Sequence, residues 1–84
     1  MIGTLPDERF LALLRRRLKF LPAQVDLDVD SELRLLGLDS LAAIDLLLDL
    51  EDAFAVTLPE QFLNAETFRT ARSLWQAVAE TAGN

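Results

Sequence analysis

Asp39-Ser40-Leu41-Ala42-Ala43-Ile44-Asp45-Leu46-Leu47-Leu48-Asp49-Leu50-Glu51-Asp52-Ala53-Phe54 is the stretch on which the fold turns. The spacing predicts a helix from about Ser40 to Phe54, with Asp39 or Ser40 as its N-cap. Placed at about 100° per residue, Ala43, Leu46, Leu47, Leu50 and Phe54 fall on one side and form a core-facing stripe. Leu41, Ile44 and Leu48 fall on the opposite side, with Asp45, Glu51 and Asp52 among them. A helix that packs one core has no need of that second stripe. Either the preceding loop or a neighbouring helix covers it, or it is an exposed row of apolar anchors rimmed by acids, the anatomy of a protein-docking surface.

Upstream, Gly37 sits where a backbone without Cβ lets the chain turn into the helix. Ala23 to Leu38 alternates apolar and polar residues around Val25, Leu27 and Val29. One short strand would have no partner here, so a long loop that pins Val25, Leu27, Leu33 and Leu36 into the core is expected. Before it, Pro6 suits a helix's first turn, and Asp7 and Glu8 suit the positive end of the helix dipole. Phe10, Leu11, Leu14, Leu18 and Leu21 trace one apolar stripe. Arg15, Arg16, Arg17 and Lys19 gather at the C-terminal end, and Pro22 is expected to stop the helix.

Downstream, Ala55 to Pro59 reads as a turn. Glu60 to Phe68 fits a short helix or a helical turn, with Phe62, Leu63 and Phe68 as core candidates. Thr70 is the expected N-cap of a last helix, Ala71 to about Ala82, whose stripe is Ala71, Leu74, Trp75, Val78 and Ala82. Gly83 closes it. Trp75 reads as a core plug. The expected fold is all-α: a small four-helix bundle of three long helices and one short one, with a long loop between the first two. The chain reads as one domain over residues 1–84, with its core at about 7–82.

Composition narrows the function. The 84 residues are 51% apolar and 26% charged, a globular rather than disordered mix. There is no Cys, which excludes disulfides, thiolate metal sites and thiol catalysis by the protein's own side chains. There is no His, which removes the commonest general base and metal ligand, and no metal site is expected. The net charge of −6 is unevenly spread. Residues 26–66 carry eleven acids against Arg34 alone. So negative a block repels nucleic acid and anionic lipid; it is either a solubilising face or a surface that favours basic partner proteins. No apolar run approaches the roughly 18 residues of a membrane span. Asp7 and Glu8 stand where a signal peptide needs basic residues, so a cytoplasmic monomer is expected.

Chemistry has one place to reside, Leu36-Gly37-Leu38-Asp39-Ser40-Leu41, with Ser40 at the loop-to-helix junction. A nucleophilic serine needs a base and an oxyanion-stabilising donor pair. The chain offers no His, its sole Lys is Lys19, expected on the first helix, and the Gly-x-Ser-x-Gly elbow is absent. Two readings stay open on the residues alone. Asp39 and Ser40 cap a helix and nothing more, or Ser40 is modified by another enzyme.

The run Asp30-Ser31-x-Leu33-x-x-Leu36-Gly37-Leu38-Asp39-Ser40-Leu41, with Leu50-Glu51-Asp52-Ala53-Phe54 and Leu58-Pro59 after it, closely resembles the acyl carrier protein family. That family includes the peptidyl and D-alanyl carriers, and the resemblance covers about residues 7–80. It implies that Ser40 carries 4′-phosphopantetheine, transferred from coenzyme A by a phosphopantetheinyl transferase with Mg²⁺. The arm's terminal thiol would hold acyl or aminoacyl groups as thioesters, which reconciles thiol chemistry with a chain lacking Cys. The chain itself would be a non-catalytic carrier. Its partners would be acyltransferases, ligases or adenylation enzymes, ketosynthases and thioesterases. The docking positions implied are Asp39, Leu41, Ile44, Asp45, Leu48 and Asp52, which coincide with the second stripe of the wheel. Ala42 stands where many fatty-acid carriers have an acid, and Pro59 to Ala71 is slightly longer than in the compact fatty-acid type. Both weaken assignment to primary fatty-acid synthesis; a carrier in polyketide or nonribosomal-peptide biosynthesis is expected first, with fatty-acid and D-alanyl or aminoacyl carriers as alternatives. The rival class is an unmodified helical interaction module that binds partners through Leu41, Ile44 and Leu48.

Overall fold

A computed structural model describes residues 6–83. Of the stretch Met1 to Phe10 on which the signal-peptide expectation rests, Met1 to Leu5 lie outside the described residues. Three α-helices, α1 (Glu8–Arg15), α2 (Ser40–Phe54) and α3 (Ala71–Ala82), enclose the core, and no strand occurs among the described residues. Single 3-10 turns at Leu33–Leu36 and Glu60–Phe62 interrupt the two connections. The short fourth element is thus a 3-10 turn rather than an α-helix. Asn64 accounts for its brevity: its side chain accepts from the Thr67 N–H at 2.9 Å and donates to the Gln61 carbonyl at 2.8 Å. Such local side-chain bonds hold the backbone in a turn and compete with helix continuation.

α2 and α3 have the expected bounds, and Thr70 caps α3 with a reciprocal partner, Ser73. The Thr70 hydroxyl accepts from the Ser73 N–H at 3.1 Å, and the Ser73 hydroxyl accepts from the Thr70 N–H at 3.1 Å. α1 starts later and ends earlier than expected. Asp7 is its N-cap, accepting from the Arg9 N–H at 2.7 Å, and Pro6 precedes the helix. The helix ends at Arg15, not at Pro22. Beyond it the bonds tighten to Arg17 N–H on the Leu14 carbonyl and Leu18 N–H on the Arg15 carbonyl. Long-range partners take over from there. The Phe20 N–H bonds the Leu36 carbonyl at 3.0 Å, and the Arg15 guanidinium holds the Pro22 and Ala23 carbonyls at 3.1 and 3.0 Å. Lys19 consequently lies in the loop and not on the first helix.

The core unites Phe10 and Leu14 of α1, Leu46 and Leu50 of α2, and Ala71, Leu74, Ala77 and Val78 of α3 with Leu18, Leu33, Leu38 and Leu58. Trp75 lies between Phe10 and Phe54, with ring centroids 5.2 and 5.9 Å away, as expected of a core plug. The long loop reaches the core through Leu33 fully and through Leu27, Val29 and Leu36 partly, whereas Val25 is exposed. Leu63 and Ala82, both expected inside, are also exposed; Ala77 and Ala79 are buried on α3 instead. The loop is tied to the start of α3 by backbone bonds from Leu33 N–H to Arg69 and from Arg72 N–H to Val29. A forked pair between the Arg72 guanidinium and Asp30, at 2.7 and 3.1 Å, adds a third tie.

Gly37 meets the requirement read from sequence. Its φ is +106°, and a Cβ there would lie 2.7 Å from the Lys19 Cγ and 2.9 Å from the Lys19 backbone nitrogen. Both the left-handed backbone and the packed backbone of Lys19 oppose any side chain. Gly37→Ala is expected to destabilise the fold by roughly 1–3 kcal/mol, measured by urea denaturation. An unchanged midpoint would mean that this junction relaxes at no cost.

Candidate functional site

Asp39 builds the leading end of α2. Its backbone is extended, at φ −92° and ψ −177°, and its Oδ1 accepts from the Ala42 N–H at 2.8 Å. Its Oδ2 accepts from the Lys19 ammonium, also at 2.8 Å. Capping is therefore the work of Asp39, and Ser40 is left as the first helical residue. The Ser40 side chain is exposed and has no hydrogen-bond partner among the described residues. The one lysine does approach this end of the helix, but the Asp39 carboxylate holds its ammonium. Among the described residues, no side chain hydrogen-bonds the Ser40 hydroxyl as a general base would.

The hydrogen bond from Lys19, followed by that from Ala42, holds the Asp39 carboxyl below its ordinary value of 3.8. The Arg72 fork does the same for Asp30. Carboxyls lowered in the folded state contribute stability that is fully present above the unfolded value and lost as pH falls through the folded one. Unfolding temperature is therefore expected to be insensitive to these two groups from about pH 7 to about pH 5 and to fall below pH 3.8. Asp39→Asn keeps a capping side chain without the charge, and should flatten that acid limb in a circular-dichroism melting series. Both ties are exposed, so added salt weakens the effect.

The second stripe of α2 is uncovered. Leu41, Ile44 and Leu48 are 75%, 56% and 58% exposed. Asp45 and Asp52 flank them and are exposed as well. The structure thus brings Ser40, Leu41, Ile44, Leu48, Asp45 and Asp52 onto one face, with Asp39 at its end. Its acids are unequal. The Arg17 guanidinium bonds Asp49 at 2.7 and 3.0 Å and stands 3.8 Å from Asp45, so the charge of Asp45 is partly compensated. Asp52 has no ion-pair partner among the described residues. Sequence reading missed Arg17, Lys19 and Asp49 here, since contacts between positions 17 and 49 leave no local signature.

Two concave surfaces meet at Ser40. One, of about 420 Å³, is an apolar groove between α2 and the connection to α3, lined by Ala43, Ile44, Leu47, Leu63 and Phe68. The other, of about 510 Å³, runs toward the Leu33–Leu36 turn. Leu63 and Phe68 carried an apolar signal in the sequence, but their role as groove walls follows only from the turn around Asn64.

An all-α domain that displays an unengaged serine at the head of its central helix, beside open grooves and a bare apolar stripe, has the architecture of a carrier domain. The chain belongs to the phosphopantetheine attachment site family, whose model matches residues 8–78. No curated protein matches it. Domains of this family carry a covalently attached 4′-phosphopantetheine group, and as acyl or peptidyl carriers they interact with phosphopantetheinyl transferases and acyl-processing enzymes. The residues here suit such a group: the hydroxyl is accessible, and the adjoining grooves are open to solvent.

Proposed function

We propose that Ser40 is the attachment point of 4′-phosphopantetheine, and that the chain serves as a non-catalytic carrier of acyl or aminoacyl groups in polyketide or nonribosomal-peptide biosynthesis. The observation that carries this reading is the accessible, unbonded Ser40 hydroxyl at the start of α2. Once attached, the arm supplies a terminal thiol, the sulfur nucleophile that a chain without Cys lacks. The protein's own residues then have three tasks. Asp39 fixes the helix end, Gly37 lets the loop turn into it, and the face bearing Leu41, Ile44 and Leu48 receives partners. Asp45 and Asp52 flank that face and pair with basic partner residues, with Asp52 the more available of the two. Ala42 is uncharged where many fatty-acid carriers have an acid, which supports the secondary-metabolic assignment, and Asp45 shares its charge with Arg17.

The test is intact-mass spectrometry after incubation with coenzyme A, Mg²⁺ and a broad-specificity phosphopantetheinyl transferase. A gain of one phosphopantetheine is expected; a folded protein that gains nothing overturns the proposal. For the docking face, Asp45→Arg with Asp52→Arg should preserve helical content yet lower the second-order rate of modification about 3–10-fold at low salt. The deficit should shrink as salt rises toward 0.5 M. Equal rates for variant and wild type across the salt series would remove the electrostatic part of the docking account.

A further inference from the structure

The larger cavity beside Ser40 is walled by two arginines, Arg34 and Arg69, with Glu32 and Glu66 next to them. Arg34 is the lone base among the eleven acids of residues 26–66. Arg69 comes from a segment distant in sequence, shortly before α3. The two segments are tied next to these residues: the Leu33 N–H bonds the Arg69 carbonyl at 2.8 Å.

The other engaged arginines have fixed duties. Arg17 and Arg72 form tight forks on Asp49 and Asp30, Arg15 holds two carbonyls, and Arg9 lies 4.7 Å from the centre of the Phe54 ring. Arg34 and Arg69 are held only at 3.4 and 3.8 Å by neighbouring glutamates, and their side chains are 77% and 60% exposed. Exposed pairs of this kind contribute little, so exchanging the glutamate for a better anion is cheap. Guanidinium groups match the geometry of phosphate oxygens and bond them in pairs. The acid closest to Ser40 in sequence, Asp39, is already paired with Lys19, which reduces its repulsion of a second anion.

Building on the reading of Ser40 as the attachment point, we propose that Arg34 and Arg69 form a cationic clamp for the phosphodiester at the root of the attached arm. They are positioning residues, which bias the arm toward the cavity and away from the α2 face. The shared chemistry is recognition of one phosphate by two guanidinium groups.

The test compares apo and holo protein by ¹⁵N and ³¹P NMR, each holo sample being verified by mass. In the wild type, the Nε–H signals of Arg34 and Arg69 are expected to shift on modification. The ³¹P resonance should differ from that of urea-unfolded holo protein and move toward it as salt rises, since screening shortens from about 30 Å at 0.01 M to about 8 Å at 0.15 M. In Arg34→Gln with Arg69→Gln the ³¹P difference should be lost, whereas Arg16→Gln, at a position that does not line the cavity, should retain it. Arginine signals that stay fixed between apo and holo wild type overturn the clamp, and that result stands even if the double variant is modified slowly. A ³¹P resonance identical in the wild type and the double variant overturns it as well. Wild-type protein that never takes up the group is a different outcome, visible by mass, and removes the reading of Ser40 together with the clamp.

Discussion

Ser40→Ala is expected to abolish modification completely while leaving the fold intact. The side chain is exposed and engages no partner among the described residues, and the cap belongs to Asp39. Replacing the hydroxymethyl group by a methyl at the first helical position therefore deletes the acceptor oxygen and little else. Stability should change by no more than about 0.5 kcal/mol, as for surface substitutions generally. The other two serines cannot substitute. Ser73 is half-buried, and its hydroxyl is committed to the Thr70 box and the Thr67 carbonyl; Ser31 is half-buried in the long loop. Intact-mass analysis and circular dichroism on the same samples decide the matter. A variant that still gains the group would move the attachment point elsewhere, and one that unfolds would show that the hydroxyl has a structural duty absent from this account.

Leu50→Ala should cost about 2–5 kcal/mol, the range for a large-to-small change in a packed core. Leu50 has no exposed surface and lies within the cluster that joins all three helices. Truncation leaves a void in close-packed surroundings, and so small a domain has little capacity to collapse around it. Because stabilities of natural domains are about 5–15 kcal/mol, the loss is a large fraction of the total. Leu48→Ala, two positions away on the uncovered stripe, should change stability by no more than about 0.5 kcal/mol. Urea titrations of the pair test the assignment of faces. Comparable losses at both positions would mean that the stripe of Leu41, Ile44 and Leu48 is packed after all.

The bounds of α2 and α3 were legible because their signals are local. A capping side chain marks each start, and apolar residues recur at helical spacing along each length. The first helix was misread for the opposite reason. Leu18 and Leu21 continue its apolar pattern and do reach the core, but as part of a loop, since the Leu36 carbonyl and the Asp39 and Asp45–Asp49 carboxylates pull Phe20, Lys19 and Arg17 away from a helical path. Periodicity reports which side chains face inward; it does not report whether the backbone between them keeps its helical bonds. The same blindness placed Val25, Leu63 and Ala82 inside.

By itself the sequence determined an all-α chain, a central helix with two apolar faces, a turn requiring glycine at Gly37 and a serine at the head of that helix. Each of these follows from residue type and spacing within about one helical turn. Tertiary structure alone decided that the second face of α2 is uncovered, that Asp39 and Asp45 share their charge with Lys19 and Arg17, and that Arg34 and Arg69 line one cavity with Ser40. Exposure and charge pairing depend on which distant segments come together, and that is set by burial of the common core rather than by any neighbour along the chain.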